Sequence, residues 1–377
     1  MDAGSDGMPM NEVVLVTGAT GYVALHCVQQ LLHSGYHVRG TVRSKTNEKK
    51  VGPLRRLAGE SNRLELVEAD LTVADDWPRA IEGCTYILHV ASPWPIVADA
   101  STIRTAVDGT MNVLTAAARI PSVRKIVLTS SCSAINDGHR NDSRVFDETC
   151  WTDINSPIVD DYAKSKTLAE KAAWDFWNTL DRNTRFSLTV LNPTFIIGPV
   201  LSDSENGSCT VIGRIMDFRT YLASPKVSLG VVDVRDVARA HVEALKRPET
   251  DGERILISAR SVWFKEMMDW LRKEFKHMGY NISRIEAPNW LVKMYAALNV
   301  DKQVQAVMHR IGPELRFNNS KSHEIMGMDY IEPRISLSEM VHSMIDYGMI
   351  RMTTRYAKRR ALGDNFASKH HSRSQAV

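Results

Sequence analysis

The chain has 377 residues, 44% of them hydrophobic and 24% charged. That composition excludes wholesale disorder and fibrous architectures, and leaves room for one large core with a smaller appendage. The net charge is +3, but seven Lys or Arg against one Asp from Arg351 to Val377 concentrate +6 at one end. The remaining body, at 3 − 6 = −3, is mildly acidic and speaks against a nucleic-acid-binding face.

The opening stretch, Met1 to Glu12, is polar, with neither the basic flank nor the apolar run of a secretory signal. No segment approaches the roughly eighteen apolar residues of a membrane span. The five cysteines, Cys27, Cys84, Cys132, Cys150 and Cys209, are odd in number and never form a C-x-x-C pair. They read as reduced thiols of a cytoplasmic protein. Short β-branched runs then alternate with helical patterns: Val13 to Thr17, Tyr22 to His33 and His37 to Val42 open a βαβ unit. Strand signals recur at Leu64 to Glu68, Tyr86 to Val90, Lys125 to Thr129 and Ser187 to Leu191. Helix signals include Ile103 to Arg119 and Tyr162 to Leu180.

This rhythm predicts an α/β fold, a Rossmann doubly wound parallel sheet over residues 11–192, with 229–258 returning to it through the helix Val234 to Lys246 and the strand Arg254 to Ser258. Residues 193–228 and 259–350, broken by Gly and Pro and rich in Met and Trp, predict a smaller C-terminal substrate-binding cap. Residues 351–377 are expected to be a basic, solvated, poorly ordered tail. Trp263, Phe264, Met267, Met268 and Trp270 form an apolar cluster; helical spacing favours core packing over a pocket wall. Asp236 is expected to anchor the cap to the sheet.

Directly after the first strand comes Thr17-Gly18-Ala19-Thr20-Gly21-Tyr22-Val23-Ala24, a G-x-x-G-x-x-A arrangement opening a helix. Gly18 permits the tight turn, Gly21 lets backbone N–H groups approach a pyrophosphate, and Ala24 lets the helix lie close to the sheet. Thr20, Tyr22 and Val23 complete the candidate cofactor contacts of this turn. NAD-binding folds usually place an acid near the end of the second strand. Here none occurs between Glu12 and Glu48, and Arg43, Lys49 and Lys50 follow instead. A 2′-phosphate suits that charge, so the expected cofactor is NADP(H).

The strand ending at Thr129 runs into Ser130-Ser131-Cys132-Ser133, at the sheet edge where ligands of open α/β folds bind. Further on, Tyr162 and Lys166 stand four apart and share a helix face. The neighbouring ammonium is expected to draw the phenol toward a useful acid–base range. In reduction Tyr162 would give a proton to a carbonyl oxygen, Ser131 would bond that oxygen, and Lys166 would also hold the nicotinamide ribose. Twelve histidines form no metal signature, and none is expected to hold a metal.

These motifs resemble the extended short-chain dehydrogenases/reductases, part of the NAD-dependent epimerase/dehydratase superfamily, and most closely their dihydroflavonol reductase-like branch. Similar segments are Val38 to Arg43, Tyr162 to Glu170, Asn192-Pro193-Thr194 with Gly198-Pro199, and Val232 to His241. The resemblance implies Arg43 and Lys50 at the 2′-phosphate, Asp70 and Leu71 near the adenine, and Ala91 and Ser92 beside the cofactor. It further implies Pro193 and Ile196 flanking the nicotinamide, Ser131 rather than Ser130 as the catalytic serine, and Asn136 at the substrate. Ala134 to Ile158 departs from the plant enzymes of that branch.

The expected activity is NADPH-dependent reduction of an aldehyde or ketone, or the reverse alcohol oxidation. A hydrophobic small molecule is the expected substrate. Neighbouring readings are a 3β-hydroxysteroid dehydrogenase-like enzyme or a sugar epimerase/dehydratase. From another class comes a non-catalytic NADP(H)-sensing protein, which has no need of Tyr162 and Lys166.

Overall fold

The computed structural model describes residues 12–93, 98–139, 144–220, 222–297 and 310–362. The first half alternates strands and helices: β1 (Val13–Val16), α1 (Tyr22–His33), β2 (His37–Val42), α2 (Glu48–Ala58), β3 (Leu64–Glu68), α3 (Asp76–Ile81), β4 (Tyr86–His89), α4 (Ala100–Ala117) and β5 (Lys125–Thr129). There follow β6 (Val145–Phe146), α5 (Asp161–Thr179), β7 (Ser187–Pro193), β8 (Phe195–Ile197), α6 (Gly207–Met216), β9 (Ser228–Asp233), α7 (Val234–Lys246) and β10 (Arg254–Ile257). The remainder holds β11 (Arg260–Trp263), α8 (Phe264–Phe275), α9 (Asn289–Ala297), β12 (Arg316–Phe317), α10 (Ser320–Met326), α11 (Pro333–Asp346) and α12 (Thr354–Ala361).

The main sheet has seven parallel strands in the order β10-β7-β5-β4-β1-β2-β3. Parallel strands need crossovers, and the crossover helices bury both faces of the sheet. On one side α1 packs against α7, through Ala24, Leu25, Val28, Leu31 and Val237 and their neighbours. On the other α4 packs against α5, around Trp77, Val113, Leu114 and Ala173. The strand order reverses between β1 and β4, which opens the crevice where such folds take ligands.

Two expectations need correction. Of the segment 229–258, only α7 and β10 return to the main sheet; β9 lies in a separate three-stranded sheet, β11-β9-β8, parallel to β8 and antiparallel to β11. The sequence of β9, almost wholly buried, carries no mark of which sheet it joins. Second, the basic tail is not wholly solvated. Thr353 caps α12 by accepting the Tyr356 N–H, and Tyr356, 2% exposed, packs into the cap core. Its hydroxyl lies 2.7 Å from His342 Nδ1. Residues 363–377 lie outside the described residues. As their helical spacing favours, Phe264, Met267 and Met268 pack with Leu337, Met340 and Val341 of α11 in the cap core and line no part of the cleft.

Asp236 is buried, accepts the Ile331 N–H at 2.8 Å and pairs with Arg239 at 2.9 Å, tying α7 to the chain before α11. Among the described residues no helix is long and apolar enough to cross a membrane.

Three buried histidines give the fold an acid limit. His241 sits between the Thr129 hydroxyl at 2.6 Å and the Val237 carbonyl at 2.7 Å. His26 meets the Pro199 carbonyl at 2.9 Å, and His89 the Thr17 hydroxyl at 3.0 Å. Burial pushes His26 and His241 down to about 4; for His89 burial, then the Lys166 cation, lower it to about 3. Unfolded histidines take protons below about pH 6.5 and these do not, so their contribution is complete above 6.5 and lost as pH falls. The loss is about 2 kcal/mol per histidine by pH 5. Calorimetric Tm is therefore expected to drop by several degrees from pH 7 to pH 5; a level Tm across that range would contradict it.

Candidate active site

A cleft of about 1090 Å³ follows the C-terminal edge of the main sheet and continues under the cap. Its first end is the β1–α1 turn. Gly18 adopts φ +61°, and a Cβ there would come within 2.9 Å of Ala91 Cβ, so only glycine allows the loop to lie against the segment that follows β4. The turn is held by the Gly18 N–H on Thr41 Oγ1 at 2.9 Å and the Ala19 N–H on the Thr41 carbonyl. α1 then begins at Gly21 with no side-chain cap and no acid in its first turn. Its leading N–H groups thus face the cleft with a positive helix end, a fit for a pyrophosphate.

Gly18, Thr20, Gly21, Tyr22, Val23, Arg43, Asp70, Leu71, Ala91, Ser92, Pro193 and Ile196 all line this cleft, as do Ser131, Asn136, Tyr162 and Lys166. Thr17 orders one wall: the Ala91 N–H donates to its hydroxyl at 2.9 Å. Asp70 accepts from the Thr72 N–H and hydroxyl, which, ahead of the nearby Arg43, hold its carboxyl below the usual range.

Two of the expected cofactor residues also have partners outside the cleft. Lys50 is not on the cleft wall; its Nζ lies 3.5 Å from Ser204 Oγ, while Lys49 pairs with Asp203 at 3.1 Å. Both lysines start α2, whose first turn rests against the loop after β8 instead of the adenosine end. Tyr22 lines the cleft, but its hydroxyl is committed to the Gly198 carbonyl at 2.6 Å, joining α1 to that same loop.

At the middle of the cleft, β5 delivers the serines and α5 delivers Tyr162 and Lys166. Asp160 caps α5 by accepting the Ala163 N–H at 2.7 Å, which fixes the turn carrying Tyr162. The two neighbouring serines divide their work. Ser130 donates to Glu170 at 2.5 Å, behind the sheet edge. The Ser131 oxygen accepts the Ser133 N–H at 3.1 Å, and its hydroxyl bonds the Tyr162 phenol. That division supports the choice of Ser131 over Ser130.

Burial pushes Tyr162 up to about 12; the Ser131 hydrogen bond and the Arg310 cation oppose the rise. Lys166 is brought down to about 8 by burial, against the pull of Glu170. Of the groups that act most on Tyr162, Ser131 and Arg310 lower it and Cys132 and Asp160 raise it, while the Lys166 cation acts on His89 and is itself favoured by Glu170.

Sequence reasoning missed the support behind these groups. Glu170, one turn after Lys166, also accepts from Asn192 Nδ2 at 2.8 Å and from Arg254 Nε, and Asn192 Nδ2 reaches the Ser131 carbonyl at 3.1 Å. Asn192 and Glu170 lay in segments already noted for their resemblance, without a role attached. Arg310, on the substrate side, pairs with Asp137 at 3.0 Å. No motif surrounds Arg310, and only the folded cap brings it to the cleft. Cys132, Phe146, Ile158 and Leu229 add apolar wall nearby.

The profile of the NAD dependent epimerase/dehydratase family matches residues 14–258. A cinnamoyl-CoA reductase of Medicago truncatula is 37% identical over 70% of this chain and 81% of its own length. A cinnamoyl-CoA reductase of Petunia hybrida is 33% identical over 91% and 95%. Among solved structures, a yeast methylglyoxal/isovaleraldehyde reductase complexed with NADPH superposes with TM-score 0.74 at 26% identity, covering 89% of this chain and 99% of that one. Vestitone reductase from alfalfa gives 0.69 at 26%, covering 90% and 99%. With the matched segment spanning the glycine turn, the Ser131, Tyr162 and Lys166 group and β10, the chain belongs to the NAD dependent epimerase/dehydratase family, among relatives that are reductases.

Proposed function

We propose that the chain is an NADPH-dependent reductase of aldehydes or ketones, with Tyr162 as proton donor. The observation that carries this reading is the placement of Ser131, Tyr162 and Lys166 midway along one cleft, between the glycine turn and the cap. A nicotinamide dinucleotide lying along the cleft would supply the hydride. The chain's own residues do the rest. Ser131, whose hydroxyl meets the Tyr162 phenol, would donate to the substrate oxygen once it is bound, and Tyr162 donates the proton that neutralises the developing alkoxide. Lys166, which lines the same cleft, would bond a ribose. Names of relatives support the direction: the yeast protein is a reductase complexed with NADPH. NADPH consumption by the purified chain with a panel of aliphatic and aromatic aldehydes and ketones tests the reading. No consumption with any of them would reject it.

The preference for NADPH rests on Arg43, which lines the adenosine end with no acid at the end of β2. A charge-assisted contact to a 2′-phosphate contributes about 1.5 to 3 kcal/mol. NADPH is therefore expected to bind at least tenfold tighter than NADH. In Arg43→Asp the preference should vanish or invert. Titration calorimetry reads both numbers, and equal affinities in the unmodified chain would refute the assignment.

The apolar substrate expectation is narrowed by the cleft itself. Phe146, Ile158 and Leu229 offer apolar wall, but Asn136, Asp137 and Arg310 stand among them.

A further inference from the structure

Tyr162 and Ser131 reach the cleft on different elements, one from the first turn of α5 and the other from just past the end of β5. A reaction that needs both on one oxygen depends on those two elements being held at a fixed separation. The main-chain ladder stops short of that task. The last paired residues of β5 and β7 are Thr129 and Leu191. The Ser130 N–H adds one bond to the Leu191 carbonyl at 2.8 Å, and the chain then leaves the sheet into the short turn Cys132–Ala134.

The hydrogen bond that carries the link to β7 one residue further comes from a side chain. Asn192 Nδ2 donates to the Ser131 carbonyl at 3.1 Å and to Glu170 Oε2 at 2.8 Å. That carbonyl also accepts the Ala134 N–H at 3.0 Å, so the turn closes on the same atom. Glu170 belongs to α5, about two turns after Tyr162 and one after Lys166. One amide nitrogen thus touches both the main chain of the catalytic serine and the helix that carries the tyrosine.

The amide is an expensive choice for this position. Asn192 is fully buried, and its Oδ1 has no hydrogen-bond partner. A buried acceptor left unpaired destabilises the fold, and an apolar side chain of similar size would avoid that cost. What the amide contributes is therefore the pair of bonds that its nitrogen donates. Asn192 itself lines no part of the cleft, so any effect on the reaction passes through its neighbours.

We propose, resting on the reductase reading, that Asn192 is a positioning residue: by tying the Ser131 carbonyl to Glu170, it holds Ser131 and Tyr162 in the arrangement in which both donate to one substrate oxygen. Its loss is felt through Ser131. Residues that act through one another give losses that do not add, whereas a general loosening of the fold slows the reaction whether or not Ser131 is present.

The test is a cycle of Asn192→Ala, Ser131→Ala and the double variant in the full chain, with NADPH and the most readily reduced aldehyde of the panel. Asn192→Ala is expected to lower kcat at least tenfold while KM for NADPH stays within threefold of the unmodified value. In the Ser131→Ala background the same substitution should lower kcat less than twofold. The ratio of the two losses decides: fivefold or more supports the assignment, and a smaller ratio overturns it, because an asparagine that merely stabilises the fold slows both chains alike. Fluorescence titration with NADPH and a thermal melt check that each variant is folded at the assay temperature. If Asn192→Ala does not bind NADPH, Asn192→Ser, which keeps a short donor on the strand, takes its place under the same criterion. A small ratio in a chain that reduces aldehydes overturns this assignment alone. Absence of NADPH oxidation by the unmodified chain with every member of the panel overturns the reductase reading and this assignment with it.

Discussion

Tyr162→Phe is expected to cut carbonyl reduction by roughly 10² to 10⁴-fold while leaving NADPH affinity nearly unchanged. The substitution keeps the ring and removes only the hydroxyl that meets Ser131. The loss should appear in kcat, because the missing interaction is made to the oxygen as it gains charge. A pH profile sharpens the expectation. With burial holding the phenol up at about 12, Tyr162 stays protonated and competent as a donor across neutral pH. Reduction by the unmodified chain should therefore be flat with respect to this group from pH 6 to 8. Alcohol oxidation needs the phenolate, whose fraction grows about tenfold per pH unit below the pKa, and should rise with pH. Steady-state rates in both directions measure this. Unchanged turnover in Tyr162→Phe would mean that another group transfers the proton.

Most of the α/β half was legible because its signals are local. Val13–Val16, Gly18, Gly21 and the periodic face of Tyr22–His33 announce strand, turn and helix without help from distant residues. The Tyr162 and Lys166 spacing was equally visible, and both line the cleft. What the spacing could not convey was burial, which raises Tyr162 and lowers Lys166. The surroundings of Lys50 were equally out of its reach. A positive charge soon after β2 is compatible with a 2′-phosphate, but the first turn of α2 leans toward Ser204 in a loop 154 residues away. The cap was least legible, since its contacts are non-local: Arg310 meets Asp137 across 173 positions. Helical spacing from Phe264 to Leu271 did announce a buried face, though not that α11 would cover it.

Glu170→Ala is expected to destabilise the fold by about 3 to 5 kcal/mol, the cost of leaving a buried charge without its partner. The Glu170 side chain is fully buried and Arg254 is 10% exposed, stacked 3.6 Å over the Trp151 ring with Nη1 on the Glu148 and Cys150 carbonyls. Those contacts would hold the guanidinium in place after its counter-charge is gone, while Ser130 loses its acceptor and the Asn192 amide the nearer of its two in the same step. Urea unfolding of the two chains gives the difference directly, and a loss under about 1 kcal/mol would show that the network relaxes or takes up water. Glu170→Gln separates structure from charge, because it keeps the shape and an acceptor oxygen. Glu170 supports the Lys166 cation, which burial lowers to about 8 even against that support. Without that support Lys166 should lose its proton at still lower pH, and NADPH affinity in Glu170→Gln should decline at a lower pH than in the unmodified chain. An identical pH dependence of cofactor binding would confine Glu170 to holding β5, β7 and β10 together behind the site.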